Sequence, residues 1–359
     1  METRGFGSRR VAAFGSLIRH GAEVRPTNRP VAVSPRHRFA APLLFFGGLM
    51  LFVASVHAAS FSTRYFDVPA GSHPHDVAAV PTVDGPVYYT AQSTGRLGML
   101  DPRSGRIEEI HLGAGSAPHG VIVGKDGAAW ITDGGLNAIV RYDPKTRALR
   151  TWALPADAPN ANLNTAAFDK QGRLWFTGQA GYYGRLVPET GDLKVWKAPR
   201  GRGPYGITAT PDGHIYYASL AGSHIARIDT ESGEATVIEP PTKDQGSRRV
   251  WSDSRGNIWV SYWTTGHVGR YDPAADSWRE WKLPGDARAY AVWVDERDKV
   301  WLTEWSSNAI VRFDPETEKI ESYPSDRTGA TVRQLLGRRG EVWGAESGND
   351  RLVRLSAPR

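Results

Sequence analysis

The chain has 359 residues, 40% of them hydrophobic and 23% charged, which is enough apolar material for a large core, and it has no cysteine. Without thiols, disulfides, thiolate metal sites and cysteine nucleophiles are all excluded. The formal net charge of +6 resides wholly in residues 1–38, which hold eight Arg, no Lys and two Glu; the remainder is balanced and lacks the basic footprint of a nucleic-acid binder.

Taken in chain order, residues 1–38 read as an Arg-rich leader or the product of a misassigned start. Residues 39–59 contain "FAAPLLFFGGLMLFVASV" followed by "HAA". A basic flank, an apolar core and a small-residue site at Val56-His57-Ala58 have the order of a secretory signal, with cleavage expected after Ala58. A periplasmic or secreted protein follows. The second expectation is an uncleaved anchor over residues 39–56, since eighteen apolar residues just span a bilayer; that segment would then be its one membrane attachment.

From residue 60 onward the chain repeats. An aromatic, an apolar or aromatic residue and usually a small polar one recur as "YYT" at Tyr88, "WIT" at Trp130, "WFT" at Trp175, "YYA" at Tyr216, "WVS" at Trp259, "WLT" at Trp301 and "WGA" at Trp343, every 41 to 45 residues. Asp-Gly turns such as "GKDG" precede this strand, and "AIVRYDP"-like strands with a further turn follow it. Four short alternating strands per unit predict an all-β fold, a seven-bladed β-propeller over residues 60–359. The seventh unit lacks its fourth strand, and "STRYFDVP" near residue 62 resembles one, so an N-terminal strand is expected to close the ring.

Residues that recur from blade to blade read as scaffold. These are the aromatics and Arg141, Arg185, Arg227, Arg270, Arg312 and Arg354. Chemistry is expected where the units differ. The channel-lining position, eleven residues before the aromatic, gives His75 (two residues further off), His119, Asn164, Tyr205, Arg248, Tyr290 and Val332. A second ring past the aromatic strand gives Ala91, Asp133, Gly178, Ser219, Tyr262, Glu304 and Glu346. Its acids, Asp133, Glu304 and Glu346, are candidate oxygen ligands for a hard divalent cation. Tyr262, Trp263 and Trp305 are a candidate apolar platform, and a small molecule at the channel is the expected ligand of a monomer.

The unit "PHGVIVGKDGAAWITDGGLNAIVRYDP" and the stretch "KVWLTEWSSNAIVRFDP" resemble the repeats of the virginiamycin B lyase (streptogramin B lyase) family of seven-bladed propellers. The resemblance implies Mg²⁺-assisted opening of a cyclic depsipeptide by elimination at its ester: a base removes the proton next to a threonine carbonyl and the carboxylate oxygen leaves. It also carries over Glu346 in "WGAE" and Trp305 in "TEW". The family's sixth-blade catalytic His falls on Tyr290, and its last-blade His on Val332, or on Arg333 if the alignment shifts by one. The Glu two residues before that His falls on Ala330, and a first-blade Tyr falls on His75. Proton transfer by Tyr290, His75 or His119 is therefore the expectation for an enzyme of this kind. A non-catalytic propeller that binds a small molecule, peptide or envelope partner is the alternative. A lactonase like the gluconolactonase propellers, with Glu346, Asp133 and Asn164 around a cation, is a third.

Overall fold

A computed structural model describes residues 60–358; the expectations for the leader and the signal or anchor segment lie outside these residues. Among the described residues there is no helix long and apolar enough to cross a membrane. The first strand, β1 (Ser62–Asp67), is set apart from the four that follow it, β2 (Pro74–Ala79), β3 (Val87–Ala91), β4 (Arg96–Leu100) and β5 (Ile107–His111). β2 to β5 form one four-stranded antiparallel sheet, and five more sheets repeat that order along the chain.

The seventh sheet takes three strands from the end of the chain, Val332–Leu335, Glu341–Glu346 and Arg351–Ser356, and its fourth from the beginning. β1 pairs with Arg351–Ser356 from Ser62↔Ser356 to Asp67↔Arg351. The expected closure of the ring is what the structure has. It leaves the last blade with no incomplete edge.

The repeated side chains hold each blade internally. In blades 2, 3, 5, 6 and 7 the tryptophan is paired across the sheet with the repeated arginine, at 5.8 Å for Trp130–Arg141 and 5.6 Å for Trp343–Arg354. Several indole N–H groups donate to an acid of the preceding turn, as Trp175 does to Asp169 at 2.8 Å and Trp301 to Asp295 at 2.9 Å.

The small polar residue after the aromatic pair has a different task. All seven innermost strands carry a register shift near their start, the signature of a bulge. The bulge frees a backbone N–H from its ladder, and in blades 1, 2, 3, 5 and 6 a hydroxyl on the next strand takes it. Thr132 accepts from Gly120 N at 3.0 Å and donates to the Asn164 carbonyl of the following blade. Thr90 links Asp76 N to His119 O, Thr177 links Thr165 N to Tyr205 O, and Ser261 links Arg249 N to Tyr290 O. Gly120 has no room for a Cβ, because the Asn164 carbonyl and the Thr132 hydroxyl lie against it.

Replacing Thr132 with Val keeps the volume but leaves Gly120 N–H and Asn164 C=O without this partner in a buried site. The expected loss is about 1–3 kcal/mol of unfolding free energy, read from urea denaturation, whereas an exposed Thr146→Val should change it by less than about 0.5 kcal/mol.

Candidate functional site

The bulge turns one residue of each innermost strand toward the channel. The register pairs Pro118 with Asp133, Ala289 with Glu304 and Val332 with Glu346, so these three are equivalent and the channel residue is the next one along. The ring is therefore His75, His119, Asn164, Tyr205, Arg248, Tyr290 and Arg333. The expectation of Val332 is corrected: the seventh blade is one residue shorter between this position and its tryptophan. Val332 is buried, and its carbonyl accepts the Trp305 indole at 2.7 Å.

These side chains form one connected network. Arg248 donates to the Tyr205 hydroxyl at 2.9 Å, and the Tyr205 and Tyr290 hydroxyls are 2.7 Å apart. Tyr290 Oη lies 3.5 Å from His75 Nε2, and Arg333 Nη1 lies 3.5 Å from the same nitrogen. His75 Nδ1 meets Asp76 Oδ1 at 2.9 Å, which fixes the tautomer with the proton on Nδ1 and a lone pair on Nε2 facing Tyr290. The His75 and His119 rings pack at 3.7 Å, and Asn164 donates to His119 Nε2 at 3.2 Å.

Beneath this ring sits a belt of the next residues along each strand. Arg249 crosses the channel from blade 5, donating to Asp76 of blade 1 at 3.0 Å and to the Thr165 hydroxyl of blade 3. Asp76 and Arg249 are both buried, so each depends on the other to offset its desolvation. At the equivalent position blades 2, 4 and 6 have Gly120, Gly206 and Ala291. Neither Asp76 nor Arg249 was singled out from sequence, although charges among glycines and alanine are a signal that could have found them. Below the belt the channel opens at the far face into a hollow of about 290 Å³, lined by apolar groups including Ile122, Phe168, Trp251 and Leu336.

Burial pushes the His75 imidazole well down, and Arg333, Arg249 and Arg248 push it further; burial and His75 do the same to His119. Both rings are neutral at neutral pH. Burial raises the Asp76 carboxyl against the pull of Arg249. Tyr290 is the informative group. Its burial alone would raise it, but Arg248, Arg249 and Arg333 together bring its phenol below the ordinary value of 10. Burial and the neighbouring Tyr290 drive Tyr205 the other way, so of the two phenols Tyr205 holds its proton the more firmly. Perturbed titratable groups in contact make this network a candidate acid–base site.

Two aromatics complete the mouth. Trp305 stacks on Tyr290 at 4.8 Å with an 11° interplanar angle, and Trp263 stands edge-on to both. Tyr262 does not join them: it is fully buried inside blade 5, packed with Tyr216 and Val260, and belongs to the core.

The three carboxylates expected to share a cation are not brought together: Asp133 and Glu304 cap their own turns, and Glu346 is held by an arginine and a hydroxyl. Asp133 Oδ1 accepts from the backbone N–H groups of Ala117, Gly135 and Leu136. Glu304 accepts from those of Arg288, Ser306 and Ser307. Glu346 is bound by Arg351 at 2.6 Å and by the Ser325 hydroxyl at 2.8 Å. Among the described residues the converging set is His75, Asp76 and His119, with ligand atoms within 4.8 Å of one another. Two guanidinium groups already stand against that set, Arg249 on Asp76 and Arg333 beside His75. A hard cation that demands oxygen ligands does not fit there.

Fold and site together define a seven-bladed propeller whose channel mouth is lined by a histidine-tyrosine-arginine network. The virginiamycin B lyase family model matches residues 53–285, more than half of the chain, and the chain belongs to that family. No curated protein matches the sequence. Among solved structures, a streptogramin B lyase superposes with a TM-score of 0.75 at 23% identity, covering 83% of this chain and 98% of its own. A catalytically inactive histidine-to-alanine variant of virginiamycin B lyase from Staphylococcus aureus, with quinupristin, has a TM-score of 0.74 at 23% identity, covering 82% and 99%. A chain of the mitotic checkpoint complex has a TM-score of 0.70 at 11% identity, covering 92% and 99%. At these identities the likenesses speak to the fold alone.

Two measurements follow from the electrostatics. Spectrophotometric titration of tyrosinate should show one group ionising below pH 10 that is absent from Tyr290→Phe, and Arg333→Gln should move it upward, since a phenolate near fewer cations is less stable. Adding Mg²⁺ at millimolar concentration should leave the thermal unfolding midpoint unchanged, because a ligand without a site adds no linkage stabilisation.

Proposed function

We propose that the protein is an exported carbon–oxygen lyase in which Tyr290 takes the part of a histidine base. The observation that carries this reading is the environment of Tyr290: a buried phenol at the channel mouth, flanked by three guanidinium groups and facing the His75 Nε2 lone pair. It occupies the position at which the family resemblance puts a catalytic histidine.

In this reading the substrate is an ester or lactone with an acidic C–H next to a carbonyl and the ester oxygen on the adjacent carbon. Tyr290 Oη takes that proton, either as phenolate or with its own proton passing to His75 Nε2. The C–H electron pair becomes the new C=C bond and the C–O pair leaves with the carboxylate. Asp76 holds His75 in the competent tautomer and Tyr205 donates a hydrogen bond to the phenolate. Arg248 and Arg333 face the charge that develops on the carbonyl oxygen. Trp263 and Trp305 offer a wall for a ring of the substrate. A non-catalytic binding propeller is the second reading. It is favoured by the replacement of both family histidines, and the fold does recur in proteins of unrelated role.

The test is incubation with a streptogramin B and with simple β-acyloxy carbonyl esters, followed by mass spectrometry. Elimination opens the ring of the cyclic substrate without changing its mass and splits the linear ones into an alkene and an acid. Tyr290→Phe should lower the rate by about 10² or more. On the phenolate route the active form is unprotonated, so the rate should rise with pH through the Tyr290 pKa below 10 and then level off, with Arg333→Gln shifting that limb upward; a rate without that limb marks the route through His75. Intact substrates throughout, or an undiminished Tyr290→Phe rate, would favour the binding reading.

A further inference from the structure

The channel mouth carries more positive charge than its own residues neutralise. Arg248, Arg249 and Arg333 gather around Tyr290, and the one carboxylate of the network, Asp76, is bonded by Arg249. Arg248 and Arg333 have no acidic partner within 4.0 Å among the described residues, whereas the scaffold arginines Arg141, Arg185, Arg312 and Arg354 each have one. Each keeps a buried Nε without a hydrogen-bond partner, as the scaffold arginines Arg270 and Arg312 also do. The Arg248 guanidinium lies 3.7 Å from the centre of the Tyr290 ring and Arg333 lies 5.6 Å from that of Trp305, so both stand on the two aromatics that bound the site.

We propose that Arg248 and Arg333 together bind a carboxylate of the substrate, attached to the carbon from which Tyr290 removes the proton. This rests on the elimination reading and narrows it to a charged substrate class, β-acyloxy carboxylates. A guanidinium fork matches a planar carboxylate with two parallel hydrogen bonds, and half-buried guanidinium groups without a counter-ion gain most from one. The placement also serves the chemistry. Removing a proton next to a carboxylate builds a second negative charge on it, which two guanidinium groups offset where a neutral carbonyl would need only one. The step balances: the proton goes to the Tyr290 oxygen, its C–H pair forms the double bond, and the β C–O pair departs with the acyl carboxylate. An α,β-unsaturated carboxylate and a free acid result.

The test uses the full chain and three probes: 3-(benzoyloxy)butyrate, the neutral amide of the same compound, and inorganic phosphate. Binding is read by calorimetry and turnover by benzoate release. The acid should bind about tenfold or more tightly than the amide, and Arg248→Gln or Arg333→Gln should each remove about that preference. Arg333→Lys, whose point charge lacks the fork, should recover only part of it. Circular dichroism and the unfolding midpoint check that each variant retains the fold. Equal binding of acid and amide, absence of acid binding, or an unchanged preference in folded Gln variants overturns the proposal. Phosphate binding as tight as the acid overturns the commitment to a carboxylate. Selective acid binding without benzoate release would defeat the elimination reading and leave carboxylate recognition standing. Amide turnover as fast as the acid would do the reverse.

Discussion

The hydroxyl bridge between neighbouring blades is the constraint on which the rest depends. A bulge that turns a side chain into the channel strips a buried N–H of its ladder partner, and an unpaired buried amide costs about 1–3 kcal/mol. A Thr or Ser on the second strand removes that cost and, with its own proton, takes hold of the next blade's channel residue. One atom thus supports the local distortion and passes the position of one channel side chain to the next. Where the bridge is missing, as at Ala218 of blade 4, the chain instead has Gly206 pressed against the Arg249 backbone.

The fold was legible because a propeller states its plan seven times. Spacing, turns and the unpaired strand at each end of the repeat array were enough to infer blade number and closure, since no other arrangement satisfies every edge. The site was legible only in part. Equivalence by counting back from the tryptophan worked where hairpins have equal length and failed by one residue in blade 7, where pairing, not distance along the chain, decides that Arg333 faces inward. Asp133, Glu304 and Glu346 were misread for a different reason. Their stretches "DGGLN", "EWSSN" and "ESGND" share one turn, so the rule that repetition means scaffold already applied to them. Tyr262 was a matter of side: its neighbour Trp263 faces the mouth while it packs inside the blade.

What sequence could not supply is distance across the channel. Asp76 and Arg249 are 173 residues apart and touch only because the ring closes. Their pairing keeps a buried imidazole in one tautomer, and that in turn leaves a lone pair against a phenol. The histidine positions that the resemblance carries over fall on Tyr290 and on Val332 or Arg333; a phenol is a weak base alone, and cations around it make it a stronger acid and a more populated anion. Fixed positive charge surrounds this phenol, whereas the family resemblance implied a metal.

The closing strand also gives the molecule two unequal poles. Ser62 lies opposite Ser356, and Ser356 in turn opposite Glu341, whereas Asp67 lies opposite Arg351 beside Glu346 on the side of the channel mouth. Ser62 thus lies at the face away from Tyr290 and Asp67 at the face that carries it, so the polarity of one strand makes the seam of the ring acidic and arginine-bound at the mouth and hydroxyl-lined at the other end.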